Sequence, residues 1–254
     1  MYGKARVLVF PARDALGAAA AEMAAAIIRH AVDQRGRARV IVATGNSQLD
    51  LITALTQFPG VPWNAVEVFH MDEYVGLPEN HPASFRLWIR TRVADKVHPK
   101  AVHYIAADAP DLDAEIERYT RLLAGAPVDL AFVGFGENGH IAFNDPHVAD
   151  FQDAAMLKRV TLDDPCRRQQ AGEGHFPTPA DVPRDAVTIT CPGLFRAEAW
   201  VCCVPEQRKA EAVRNALEGP IATACPASIV RTHPNATVYL DAESSSLLSA
   251  VGQA

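Results

Sequence analysis

The 254-residue sequence lacks any run of about 20 apolar residues of the kind a membrane-spanning segment needs. Its first apolar run, RVLVF (6–10), stops at Pro11, and no cleavage pattern follows. No signal peptide or membrane partner is therefore expected, and the chain is read as cytoplasmic. The Ala-rich stretch 15–28 is broken by Glu22 and followed by Arg29 and His30, so it reads as a buried amphipathic helix. Positive charge is not in excess: 24 Lys and Arg against 30 Asp and Glu leave a net charge of −6, and no nucleic-acid partner is expected. Cysteine is sparse and unpatterned. Cys166, Cys191, Cys202, Cys203 and Cys225 form an odd set without CxxC spacing, which argues against a metal site or disulfide framework and for reduced thiols in the core. Linkers, repeats and low-complexity tracts are also missing, so one domain over 1–254 is expected.

What is present is ample core material, with 49% hydrophobic and 21% charged residues. Apolar runs RVLVF (6–10), RVIVAT (39–44), AVEVFHMD (65–72), VHYIA (102–106) and VDLAFVGFG (128–136) alternate with helical patterns at 15–34, 48–57, 84–97 and 111–124. Strands that are apolar at nearly every position, separated by helices, predict an α/β fold with a single doubly wound, mostly parallel sheet. AVTIT (186–190), AWVCCVP (199–205) and ATVYLD (236–241), with a helix at 207–219, are expected to complete that sheet. The pattern loosens after Pro146. The Gly, Pro and Gln content of 163–185 reads as a long loop, and 147–185 as a lid.

Ligands of such sheets bind beyond the carboxyl ends of the strands, and three strand ends are unusual. Thr44, Gly45, Asn46 and Ser47 turn directly into a helix, and form either a phosphate cradle or an ordinary turn capped by Ser47. Asp72 and Glu73 follow an apolar strand, where adjacent carboxylates point apart, so one can face a ligand while the other holds the loop. The loop VGFGENGHIAFNDP (133–146) gathers Gly136, Asn138, His140 and Asp145, a glycine-rich backbone with an imidazole and a carboxylate five residues on, which suits general acid/base work.

MDEYVGL (71–77) with HPASF (81–85), GENGHIAFNDP (136–146) and QRKAEAVRNALEGP (207–220) together resemble the glucosamine/galactosamine-6-phosphate isomerase family. The resemblance implies a modified Rossmann-like sandwich that converts glucosamine 6-phosphate and water to fructose 6-phosphate and ammonia, without metal or organic cofactor. By the same resemblance Asp72 is the enolising base. His140 is the ring-opening acid/base, assisted by Asp145 and Asn138. Thr44, Gly45, Asn46, Ser47 and Lys209 hold the phosphate, joined by Arg168, while Glu73 and Gly136 belong to the substrate site. Asp145 stands where the family often has Glu, and Phe85 where Tyr is common. Some members are hexameric, so self-association is the one protein partner the resemblance allows. Their allosteric site is not expected here, because Met156 falls where Arg belongs although Lys158 fits. A 6-phosphogluconolactonase shares the GHxA-type loop but lacks the MDEY motif. A sugar-phosphate sensor of the repressor type carries a helix-turn-helix segment.

Overall fold

The computed structural model describes residues 1–174 and 176–249. Its strands are β1 (Arg6–Phe10), β2 (Ala38–Val42), β3 (Val66–His70), β4 (Asp72–Tyr74), β5 (Ala101–His103), β6 (Leu130–Val133), β7 (Leu157–Thr161), β8 (Asp185–Ile189), β9 (Ala199–Val204) and β10 (Ala236–Asp241). The helices are α1 (Arg13–Arg35), α2 (Leu49–Gln57), α3 (Phe85–Ile89), α4 (Asp95–Val97), α5 (Leu112–Ala124), α6 (Asp164–Gly172), α7 (Cys191–Phe195) and α8 (Ala210–Glu218). Seven strands pair in parallel in the order β1-β10-β9-β6-β2-β3-β5.

The apolar character of these strands is explained by burial on both sides. β2, β6 and β9 are buried at every position. In β9, Trp200, Cys202 and Val204 join one hydrophobic cluster while Val201 and Cys203 join the other, as the two-residue period of a strand dictates. The five cysteines are free thiols, four of them buried. α1 and α2 cover one face, with Ala20, Ala21, Ala24, Ala25 and Ile28 of α1 packed in the same cluster as Val40 and Val68. α1 is long and apolar enough to cross a bilayer, yet its alanine face is spent on the sheet. Gly17 permits close approach to α2, because a Cβ there would lie 2.6 Å from that of Asp50. α5, α7 and α8 cover the other face through Tyr119, Leu194 and Val213.

Three expectations need correction. The run 65–72 is not one strand: the chain leaves the main sheet after His70, and β4 joins a second, antiparallel sheet in the order β4-β8-β7. AVTIT accordingly lies in that small sheet and does not complete the large one. The reason is a separate aromatic core, in which Tyr74 packs against Phe85, Phe143 and Phe176 with ring centroids 5.1–5.2 Å apart. The segment 163–185 is not a long loop either. It contains α6 and a short 3-10 turn, Pro179–Asp181, and follows directly on β7. Asp163 caps α6 by accepting the Cys166 N–H at 2.8 Å, and Pro165 sits in its first turn. Capping chemistry outweighs the polar composition of that segment.

Candidate active site

The strand order reverses between β2 and β6, since the chain runs outward through β2, β3 and β5 and then returns to β6 on the other side of β2. A cleft of about 600 Å³ opens there, at the carboxyl ends of the strands. Thr44, Gly45, Asn46 and Ser47 line it from the end of β2. Asp72 enters from beyond β3, Gly136 and His140 from beyond β6, and Lys209 from beyond β9.

Asp72 is 6% exposed, and its Oδ1 has no hydrogen-bond partner among the described residues. Burial, with the neighbouring Glu73 charge second, pushes its carboxyl well above the usual range. Once ionised, it is therefore a stronger base than a carboxylate in water. Its backbone is held from behind by His70. Ile105 N–H donates to Nε2 of His70 at 2.9 Å, which leaves Nδ1 to donate to the Asp72 carbonyl at 2.9 Å. Burial lowers the His70 pKa to about 3, so the ring stays neutral and keeps this tautomer.

His140 Nδ1 lies 3.0 Å from Oδ1 of Asp145, a close contact in which the ring N–H is not aligned on the oxygen. The same Oδ1 accepts from Asn138 Nδ2 at 2.8 Å, and Oδ1 of Asn138 accepts the His140 backbone N–H at 3.0 Å. Burial works to raise the Asp145 pKa, but the neighbouring His140 imidazole, the Asn138 amide and the Cys166 thiol outweigh it and hold the carboxyl at about 2. Asp145 thus remains a fixed negative charge beside the imidazole. Gly136 is required by the ring itself: a Cβ there would sit 2.2 Å from Cε1 of His140. Ala142 in the same loop adopts a left-handed φ of 51°, a local strain of a kind common at functional sites.

At the far end of the cleft, Lys209 is 3% exposed and Arg208 lies beside it. Burial lowers the Lys209 pKa, with Glu173 opposing the shift. Gly45 takes φ 111°, a conformation suited to glycine. Ser47 does not cap the helix that follows. Its Oγ accepts from Gln48 Nε2 at 2.9 Å.

Not every residue expected at the site reaches it. Glu73 is fully buried and turned away: its carboxylate accepts from the N–H groups of Tyr74, Phe85 and Arg86 and from Ser84 Oγ at 2.8–3.2 Å. It organises the turn into α3 and does not line the cleft, which corrects its expected place at the substrate site. Asp145 is fully buried behind His140 and does not line the cleft, and Asn138 lines an adjoining surface with Arg168, Glu137 and Pro165. Conversely, Arg208, Gln169, Gln170 and Glu173 line the cleft and were missed. The basic pair of Arg208 and Lys209, and the helix start signalled by Asp163 and Pro165, were the available signals.

Among the described residues, His140, Asp145 and Cys166 bring a ring nitrogen, a carboxylate oxygen and a sulfur within 4.8 Å of one another. Burial raises the Cys166 thiol pKa, with Asp145 adding to it, so the thiol stays protonated beside that carboxylate. The three read as a packed polar cluster and not as a ligand set.

Comparison with known proteins agrees with this geometry. The family model for glucosamine-6-phosphate isomerases/6-phosphogluconolactonase matches residues 11–239. A glucosamine-6-phosphate deaminase of Bacillus cytotoxicus is 33% identical over 229 residues, covering 90% of this chain and 85% of that relative. One of Bacillus thuringiensis is 32% identical over the same length. The solved structure of a monomeric glucosamine-6-phosphate deaminase matches with a TM-score of 0.85 at 29% identity, over 95% of this chain and 99% of that one. A 6-phosphogluconolactonase of Shewanella baltica matches with a TM-score of 0.75 at 20% identity, over 95% and 98%, a likeness of fold alone. With its fold, its strand-end cleft and 229 aligned residues all in agreement, the chain belongs to the family of glucosamine-6-phosphate isomerases and 6-phosphogluconolactonases.

Proposed function

We propose that the chain is a cytoplasmic, single-domain glucosamine-6-phosphate deaminase, converting glucosamine 6-phosphate and water to fructose 6-phosphate and ammonia. The observation that carries this reading is that Asp72 and His140, the latter backed by the buried Asp145, open on one cleft whose other end holds Lys209.

The chemistry needs that separation. Opening the pyranose requires a proton moved between the C1 hydroxyl and the ring oxygen. His140 performs this through Nε2, while Asp145 stabilises the charged ring. Asp72 then takes the C2 proton and a proton is returned to C1, so the C1 carbonyl becomes an alcohol and the C2 amine becomes an imine. Water adds at C2 and ammonia leaves. A raised pKa suits Asp72 to abstract a weakly acidic carbon-bound proton. Lys209 and the backbone of Gly45, Asn46 and Ser47 hold the phosphate, so that binding energy remote from the reacting carbons fixes the sugar in register. Asn138 keeps Asp145 in place.

The test is ammonia release from a panel of hexosamine 6-phosphates, run beside hydrolysis of 6-phosphogluconolactone. Glucosamine 6-phosphate should release ammonia, and Asp72→Asn should lower the rate by at least roughly a thousandfold without unfolding the protein. Rapid lactone hydrolysis with no ammonia from any hexosamine phosphate would overturn the assignment in favour of the lactonase activity.

A further inference from the structure

The cations at the far end of the cleft are engaged by a carboxylate of the chain itself. Glu173, the residue following α6, places Oε1 3.2 Å from Nη1 of Arg208 and 3.8 Å from Nζ of Lys209. Gln169 Nε2 donates to the same oxygen at 3.0 Å, and Asn46 Nδ2 donates to the Glu173 carbonyl at 3.4 Å. The Glu173 and Lys209 side chains are only 9% and 4% exposed, so their charges meet largely out of water, where Coulomb interactions are least screened. Arg208 is held in place from other sides by Glu206 at 2.6 Å and Glu137 at 3.3 Å. A dianion approaching Lys209 and the turn after β2 would meet Arg208 as its next cation and Glu173 as a like charge on the same spot.

We infer that Arg208 is a second ligand of the substrate phosphate, and that the Glu173 carboxylate occupies the position the phosphate takes, so that substrate binds by displacing Glu173 from Arg208 and Lys209. This rests on the phosphate-binding part of the function proposed above. It makes Glu173 a specificity-determining residue. A monoanion or an unphosphorylated sugar gains too little from the two cations to replace a carboxylate already paired with them, whereas a phosphate dianion brings twice the charge and more acceptor oxygens.

The experiment is calorimetric titration of the full chain with inorganic phosphate, comparing wild type with Arg208→Gln, Glu173→Gln and Glu173→Ala. Thermal unfolding of each variant is measured alongside. Arg208→Gln should weaken phosphate binding roughly tenfold, and both Glu173 variants should tighten it roughly three- to tenfold. Wild-type protein should also bind sulfate in clear preference to nitrate. The inference is overturned if folded Glu173 variants bind phosphate no better than wild type, if Arg208→Gln binds it equally well, or if nitrate binds as tightly as sulfate. Failure here with ammonia still released from glucosamine 6-phosphate removes this inference alone. The expected order of phosphate affinities without ammonia release removes the deaminase reading and leaves the Glu173 exchange standing.

Discussion

Thr188 stands directly across from Asp72 in the small antiparallel sheet, and its hydroxyl oxygen accepts the backbone N–H of Phe143 at 3.1 Å. One residue of β8 therefore touches both the strand bearing Asp72 and the loop bearing His140. Asn144 reinforces the join by donating from Nδ2 to the carbonyls of Ile141 and Ile189 at 2.9 and 2.8 Å.

Thr188→Val should keep the side-chain volume but leave the buried Phe143 N–H without its acceptor, at a cost of about 1–3 kcal/mol. Turnover should fall more than KM rises, because the loop that moves carries His140 and not the phosphate ligands. Urea unfolding and steady-state ammonia release measure the two effects. An unchanged unfolding midpoint would mean that the hydroxyl is dispensable.

Gly136→Ala should act on one neighbour. The added Cβ would fall within 2.2–2.4 Å of three atoms of the His140 ring, so the ring must turn away from Asp145. A misplacement of this size should cost on the order of a hundredfold in kcat. Normal turnover in the variant would show that the ring orientation drawn here is not the working one.

Asp72→Asn should stabilise the protein above neutrality while abolishing turnover. Burial raises the folded pKa of Asp72 well above its ordinary value of 3.8. Folding thus favours the protonated form, and that stabilisation is fully present below 3.8 and lost as pH rises through the folded value. Amide and protonated acid are alike in charge, so the melting-temperature gain of the variant should be larger at pH 8 than at pH 4. A constant gain or a loss at both values would contradict a raised pKa. For the same reason wild-type activity should fall on the acid side at a higher pH than an ordinary carboxylate would produce.

Asp145 has the opposite sign. Its carboxyl is held at about 2 against an ordinary 3.8, so the stabilisation is present above 3.8 and fades as pH falls toward 2. Its size is about 2 kcal/mol. Asp145→Asn should lose that amount at pH 7 in a denaturant titration, and equal stability of the two proteins at pH 7 would contradict a lowered Asp145 pKa.

His70 adds a second acid-labile contribution. Buried and neutral until about pH 3, against an ordinary 6.5, it penalises the fold as soon as the unfolded chain begins to take up its proton. Stability should therefore decline from about pH 6.5 downward, and His70→Asn should flatten that slope in a series of urea titrations. A slope unchanged by the substitution would place the acid sensitivity elsewhere.

The large sheet was legible because burial on both faces leaves an unmistakable trace in sequence: β2, β6 and β9 are apolar at nearly every position. The loops bearing Asp72 and His140 were legible because they follow such strands. β4 was not, since three residues directly after β3 look like its continuation, and only the distant partners Thr188, Phe143 and Phe176 decide that they belong to another sheet. Glu73 was misread because nothing local distinguishes it from Asp72. Its fate is set by the N–H groups of residues 85 and 86, more than ten positions away. Arg208 and Glu173 find each other across 35 residues, a pairing that no short pattern encodes.

Asp72 hangs from the antiparallel trio while His140 rises from the parallel floor, and neither ladder of backbone bonds sets the gap between them. That gap is spanned by a hydroxyl and an amide. Warming that slackens these two tethers should let the working groups drift apart while both sheets remain intact. Thermal inactivation should then precede the loss of circular dichroism, so that the enzyme goes silent as a still-folded protein and regains its rate on cooling.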